Sequence, residues 1–176
     1  MKKIILASLK GVLIFTLICG VLYTSVVTVI GQTFFNDKAN GSLVTKEIDG
    51  QNVTVGSSLI GQTFSEDKYI HGRPQEVSQL SPVSEEQKEK VANRVKESGK
   101  ENVPVDLVTG SASGVDPHIS LSSAMFQVER VAKTRGIDEE EIKKVITDHA
   151  EGGFISGTTD KRVNVLAVNL ALDELG

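Results

Sequence analysis

The sequence predicts a mixed α/β (α+β) extracytoplasmic domain anchored by one N-terminal transmembrane helix. Residues 11–30 carry no charged side chain, which marks the helix. Behind them, segments with helical spacing alternate with short apolar runs and Gly/Asn/Asp turn clusters, the pattern of a mixed domain. A length of 176 residues suits one span plus one domain of ordinary size. The expected organisation is a cytoplasmic terminus over residues 1–10, a transmembrane helix over 11–32 and an extracytoplasmic domain over 33–176.

Twenty apolar residues rise about 30 Å as a helix, the thickness of a bilayer core. Lys2, Lys3 and Lys10 precede the span, and the first acid is Asp37. The positive-inside rule therefore predicts a single-pass cell-membrane protein, amino terminus cytoplasmic and carboxyl-terminal domain outside. A cleaved signal peptide is the alternative. Its apolar region runs about 7–15 residues to a small-x-small exit, whereas this one is longer and closes Val26-Val27-Thr28-Val29-Ile30. Ile18 ahead of Cys19 argues against a lipoprotein cleavage site. Thr16, Gly20, Thr24 and Thr28 recur every four residues, a ridge of small side chains on which a second membrane helix could pack. Small residues are also common in membrane helices generally.

Cys19, the single cysteine, lies in the span, so the domain is stable by its core alone, which about 140 residues allow. Without the three leading lysines, 16 basic residues face 23 acidic ones, a formal charge of −7. That disfavours nucleic acid and anionic lipid surfaces as partners of the domain and favours nearby cations.

Phe34 and Phe35 sit where aromatic residues mark the membrane interface. Asn40-Gly41-Ser42 is a turn signal, and residues 44–48 and 53–55 around Asp49-Gly50-Gln51-Asn52 read as a hairpin. Tyr69-Ile70-His71-Gly72-Arg73-Pro74 reads as a solvated turn presenting an imidazole and a guanidinium. Ser84-Glu85-Glu86-Gln87 is a capping box, and the helix it starts, with Val91 and Val95 one turn apart, should stop at Gly99. Val103, Val105 and Leu107 alternate with Pro104, Asp106 and Val108, which predicts a short strand. Ala124, Val128 and Val131 predict one helix over 120–136. Asp138 then caps another with Ile142, Val145, Ile146 and His149 on one side, ended by Gly152-Gly153. Val163 and Val165 start a last strand, and residues 169–175 a short helix.

The unusual chemistry gathers in the loop from Gly110 to Ser120. Ser113, Asp116 and His118 there invite a hydrolase reading. The nucleophile elbow needs serine at the centre of G-x-S-x-G, and Ala112 holds that place between Gly110 and Gly114. A phosphate-binding loop needs G-K-[ST], and Gly114 is followed by Val115 and Asp116. A loop held by Asp and Ser bonds to its own backbone is the stronger expectation, with Asp116 accepting N–H groups of the Ser113-Gly114-Val115 turn, Pro117 biasing Asp116 to be extended, and His118 near a helix cap at Ser120 or Ser122. His71, His118 and His149 lack zinc spacing, so no metal site is expected.

Taken together, these blocks resemble the small C subunit of the Kdp potassium-transporting P-type ATPase of bacteria and archaea. The resemblance runs end to end, through Asn40-Gly41-Ser42-Leu43, Gly56-Ser57-x-Leu59-Ile60-Gly61-Gln62, Gly72-Arg73-Pro74 and residues 103–120. It continues through Gln127-Val128-x-Arg130-Val131-Ala132, His149, Arg162-Val163-Asn164-Val165-Leu166 and Asn169-Leu170-Ala171-Leu172-Asp173. Family members usually carry a Ser-Gly-Gly-Ser-Asn segment after Gly-Arg-Pro; residues 75–86 are shorter here and lack it. The resemblance implies a non-catalytic accessory subunit of an ATP-driven potassium uptake pump, beside a channel-like potassium-translocating subunit and an ATP-hydrolysing subunit. It also implies a catalytic-chaperone role that raises the latter's ATP affinity. ATP and potassium are then used by the complex, and no cofactor-binding residue of this chain is assigned. The possible partner contacts are the loops at Asn40, Gly41 and Ser42, at Gly72, Arg73 and Pro74, and at Ser113, Asp116, Pro117 and His118. An anchored exported hydrolase or a stand-alone binding domain is the alternative.

Overall fold

The computed structural model describes residues 1–48, 50–77, 80–152 and 161–175. They form two units, Met1–Leu43 and Val44–Gly176.

The first unit is one helix from Lys2 to Phe34, long and apolar enough to cross a membrane. It is α-helical over Lys2–Phe15 (α1) and Thr24–Phe34 (α2), with a π-helical segment over Thr16–Tyr23 between them. No side chain along it is buried within the chain. In the π segment each N–H reaches back five residues instead of four, and the Thr24 hydroxyl likewise donates to the carbonyl of Cys19, five back. In an α-helix four residues overshoot a full turn by about 40°; in the wider segment they fall short. The two drifts oppose each other along Thr16, Gly20, Thr24 and Thr28. At Phe35 the helix breaks (φ −137°, ψ 40°) before a single turn, α3 (Asn36–Ala39). Across the break Gln32 and Asn40 exchange reciprocal amide hydrogen bonds of 3.1 and 3.2 Å, with Asn36 donating to the same Gln32 oxygen. Asn40-Gly41-Ser42 closes the turn: Gly41 takes φ +88°, and the Ser42 N–H returns to Asp37 O.

The second unit starts with strands β1 (Leu43–Ile48, whose first residue belongs to the unit before) and β2 (Gln51–Ser57), which pair with each other, Gly50 ahead of β2 standing at φ +77°. Helix α4 (Glu85–Ser98) begins as expected, Ser84 accepting the Gln87 N–H, and stops at Gly99 in the left-handed region. The strand expected near Val105 is instead a helical turn, α5 (Val105–Val108). Alternation failed because Val105 is 69% exposed and Val108 only 4%, a helical spacing of three. The turn satisfies its own backbone through Leu107 N–H to Pro104 O and Thr109 N–H to Val105 O, while Arg94 covers the Val108 carbonyl at 2.9 Å.

Strand β3 (His118–Ser120) leads into α6 (Leu121–Met125) and α7 (Val128–Arg135). The single helix expected over 120–136 is therefore split. Gln127 is the reason: its side-chain amide bonds the Ser123 carbonyl and reaches out to His71. Helix α8 (Glu139–Asp148) is capped by Asp138 but ends at His149, ahead of Gly152, because β4 (Ala150–Glu151) follows at once; Gly153 lies outside the described residues. Strand β5 (Arg162–Asn164) is antiparallel to both β3 and β4, giving the order β3-β5-β4. Val165, expected in that strand, already opens helix α9 (Val165–Leu175), which starts four residues before the expected helix. Ile142 and Ile146 of α8, Val128 and Val131 of α7, Val168 and Leu172 of α9 and Ile119 and Val163 of the sheet pack into one core.

Candidate functional site

Residues 69–74, expected to be a solvated turn, are together with the preceding residues 66–68 threaded across this core and held by side chains. Ile70 is fully buried, its N–H and carbonyl bonded to the carboxamide of Asn169 at 2.8 and 2.9 Å. Gln127 does the same for His71 at 2.9 and 3.0 Å. Arg130 donates to the carbonyls of Asp67 and Tyr69. Arg135, with a side chain only 4% exposed, donates to Lys68 O at 2.7 Å, Leu172 O at 2.8 Å and the Asp173 carboxylate at 2.9 Å. A chain without a neighbouring strand must find other partners for its peptide groups, and Gln127 ahead of α7, the guanidiniums of α7 and the Asn169 amide of α9 supply them. Burial, reinforced by the nearby Arg130 charge, holds the His71 imidazole below its ordinary pKa.

This clamp delivers Arg73 to the central loop. Its Nη1 lies 3.3 Å from Asp106 Oδ1 and 4.0 Å from Asp116 Oδ2, while Nη2 donates to Thr109 Oγ1 at 3.2 Å and Gly110 O at 3.4 Å. Gly72 sits against Val165, and the Pro74 carbonyl accepts the Glu76 N–H. Asp106 is the hub. Its Oδ2 accepts the Ser120 N–H at 2.9 Å and the Ser123 hydroxyl at 3.0 Å. Burial alone would raise its pKa, but the Ser120 and Ser123 hydrogen bonds and the Arg73 charge together hold it below the usual value. Ser120 caps α6 by accepting the Ser123 N–H, as the sequence suggested.

The loop itself is closed by serine turns. Ser113 Oγ accepts the Val115 N–H at 3.3 Å and contacts Ser111 Oγ at 3.4 Å; Ser111 Oγ also accepts the Asp116 N–H. Asp116 does not turn back onto residues 113–115 as expected: Oδ1 accepts the His118 N–H ahead of it at 3.0 Å. The reason is Pro117, whose carbonyl accepts the Val165 N–H and draws the chain forward into β3. His118 is a strand residue, its Nδ1 3.8 Å from Asp116 Oδ1. Two glycines are steric requirements. A Cβ at Gly61 would stand 2.7 Å from Asp116 O, and one at Gly110 2.8 Å from Glu76 O.

The structure thus joins Gly72, Arg73 and Pro74 to Asp116 and His118 through Asp106. Ser113 remains on an exposed turn, bonded to Val115 and Ser111, so the serine, acid and imidazole do not form a relay among the described residues. Thr16, Gly20, Thr24 and Thr28, with Asn40, Gly41 and Ser42, belong to the first unit. Asp106, Ser123 and Arg135 were not singled out from sequence, because their roles depend on partners far along the chain. Gln127, Arg130 and Asn169 appeared there only inside family blocks; each is a clamp.

The family profile described as "KdpC: K+-transporting ATPase, c chain" matches residues 5–174. The chain is 45% identical to the potassium-transporting ATPase KdpC subunit of Listeria monocytogenes, over 94% of this chain and 92% of the relative. It is 41% identical to the subunit of that name in Clostridium perfringens, over 97% of each chain. For the one in Mycobacterium bovis the identity is 42%, over 99% of this chain and the whole relative.

Proposed function

Because the chain belongs to the KdpC family of K+-transporting ATPase subunits, we propose that it is a non-catalytic accessory subunit of an ATP-driven potassium uptake pump. It accompanies a channel-like potassium-translocating subunit and an ATP-hydrolysing subunit, and stabilises their complex. The family match over residues 5–174 carries this reading.

The first unit acts as the single-pass anchor, with residues 1–10 cytoplasmic, 11–32 in the bilayer and 33–176 outside, as Lys2, Lys3 and Lys10 ahead of the span favour. Its uncovered apolar side chains are matched by lipid and by a membrane helix of a partner, seated on Thr16, Gly20, Thr24 and Thr28. The Arg73–Asp106–Asp116 cluster orders a loop for partner contact and transfers no proton. An acidic domain on the outer face borders the potassium entrance. The catalytic-chaperone effect on ATP affinity then reaches the ATP-hydrolysing subunit through subunit contacts, since ATP is on the other side of the membrane. The hydrolase alternative would need Ser113 engaged by His118, and the Ser113 hydroxyl is bonded elsewhere. The deciding experiment is purification of the tagged chain from native membranes. Two larger potassium-pump subunits in stoichiometric amounts support the reading; recovery of the chain alone refutes it.

A further inference from the structure

The domain is acidic, yet among the described residues cations outnumber carboxylates around the recess beside Arg73. A cavity of about 280 Å³ opens beside the Arg73–Asp106 pair, and Asp116, His118, Lys161 and Arg162 share its wall. The strand register explains the convergence. Ile119 pairs with Val163 on the buried face, so His118, Ser120 and Arg162 fall on the other face. Three permanent cations stand there against two carboxylates. Both carboxylates are engaged already, Asp106 by Ser120, Ser123 and Arg73, and Asp116 by the His118 N–H. Lys161 and Arg162 are exposed and form no ion pair among the described residues, with Glu151 opposite Arg162 across the β4–β5 pair. The Arg73 Nε is likewise buried without a hydrogen-bond partner among them.

We infer that this recess accepts one carboxylate, from an acidic side chain on a loop of a partner subunit, with Lys161 and Arg162 as its free cations. The inference rests on the accessory-subunit reading for the identity of the partner, not for the chemistry. Among the described wall residues the cations exceed the carboxylates by one, which favours a monoanion, and the Asp106 and Asp116 carboxylates would repel a dianion such as phosphate more strongly. A planar carboxylate also fits a guanidinium fork side by side. Pairs between exposed charges are weak in isolation, so the contact gains its strength inside an assembled complex, where the acid is held at high effective concentration.

The test uses the full-length protein in nanodiscs, titrated with the blocked peptide Ac-Gly-Glu-Gly-NH2 while His118 and arginine side-chain NMR signals are followed. Matched titrations use the Gln peptide and inorganic phosphate. The Glu peptide should shift these signals saturably and more tightly than either control, and K161Q/R162Q should weaken it roughly tenfold or more. Equal binding of the Gln peptide, tighter binding of phosphate or unchanged binding by the double variant overturns the inference. Both substituted side chains are exposed, so melting should stay at the wild-type value. In native membranes, K161E/R162E should lower recovery of the pump subunits several-fold, and recovery at wild-type yield overturns the partner assignment. Failure of the wild-type chain to recover those subunits would instead defeat the accessory-subunit reading, which the peptide titration does not depend on.

Discussion

Two aspartates line the central loop, and the structure predicts that they differ sharply in what they stabilise. Asp106→Ala strands the Ser120 N–H and removes the carboxylate acceptor of the Ser123 hydroxyl, which keeps Ser120 Oγ at 2.8 Å, and one contact of Arg73. Hydrogen bonds to a charged group contribute about 1.5–3 kcal/mol each. The Asp106 side chain keeps 21% exposure, so water recovers part of that loss. The expected cost is about 3 kcal/mol. Asp116→Ala loses one backbone N–H partner at a more exposed position, an expected cost of about 1 kcal/mol. Asp106→Asn keeps the shape and one acceptor and should fall between them. The measurement is urea unfolding of the full-length protein in detergent, followed by a signal from the second unit. Acid dependence adds a check on the charge. The folded-state pKa of Asp106 lies below its ordinary value of 3.8, so its contribution is complete above that value and disappears as pH falls through the lower folded one. The gap between wild type and Asp106→Asn should therefore be constant from neutral pH to about 4.5 and shrink below it. Equal midpoints for Asp106→Ala and Asp116→Ala would refute Asp106 as the hub.

Three further outcomes are expected. Gly61→Ala should destabilise by about 1–3 kcal/mol, since its Cβ would meet backbone at Asp116 O rather than a movable side chain; Gly72→Ala, whose Cβ would come no closer than an ordinary 3.7 Å to Val165 and whose backbone is not in the left-handed region, serves as the control in the same unfolding experiment. His71 has a depressed folded pKa, so the unfolded chain binds the extra proton and stability should rise with pH up to about its ordinary value of 6.5. Urea midpoints at pH 5 and 7.5 measure that slope, which His71→Gln should reduce. Gly20→Leu should weaken co-purification with the pump subunits while leaving the second unit's melting unchanged, because the nearest atom to a Cβ there, Thr16 Cγ2, is 3.9 Å away; wild-type recovery from detergent would remove Gly20 from the docking face.

Local chemistry was legible in the sequence wherever a residue's partner lies within a turn of it. The uncharged run from Gly11 to Ile30, the Ser84 cap and its stop at Gly99, the Asp138 cap with Ile142 and Ile146 beneath it, and the pairing of β1 with β2 all follow from neighbours in the chain. Only the tertiary structure decided the rest. Alternating valines suggested a strand at Val105, but a strand needs a ladder partner, and the Asp106 carboxylate gains more by turning towards Ser120 and Ser123. A glutamine in a helical run looks like surface; Gln127 breaks the helix because the buried peptide of His71 has no other partner. Arg130, Arg135 and Asn169 read as helix residues until the threaded run at 67–71 lies across them. Long-range polar satisfaction has no period in a sequence. It is set by which peptide groups the packed core leaves without water, and that is fixed only once the elements have met.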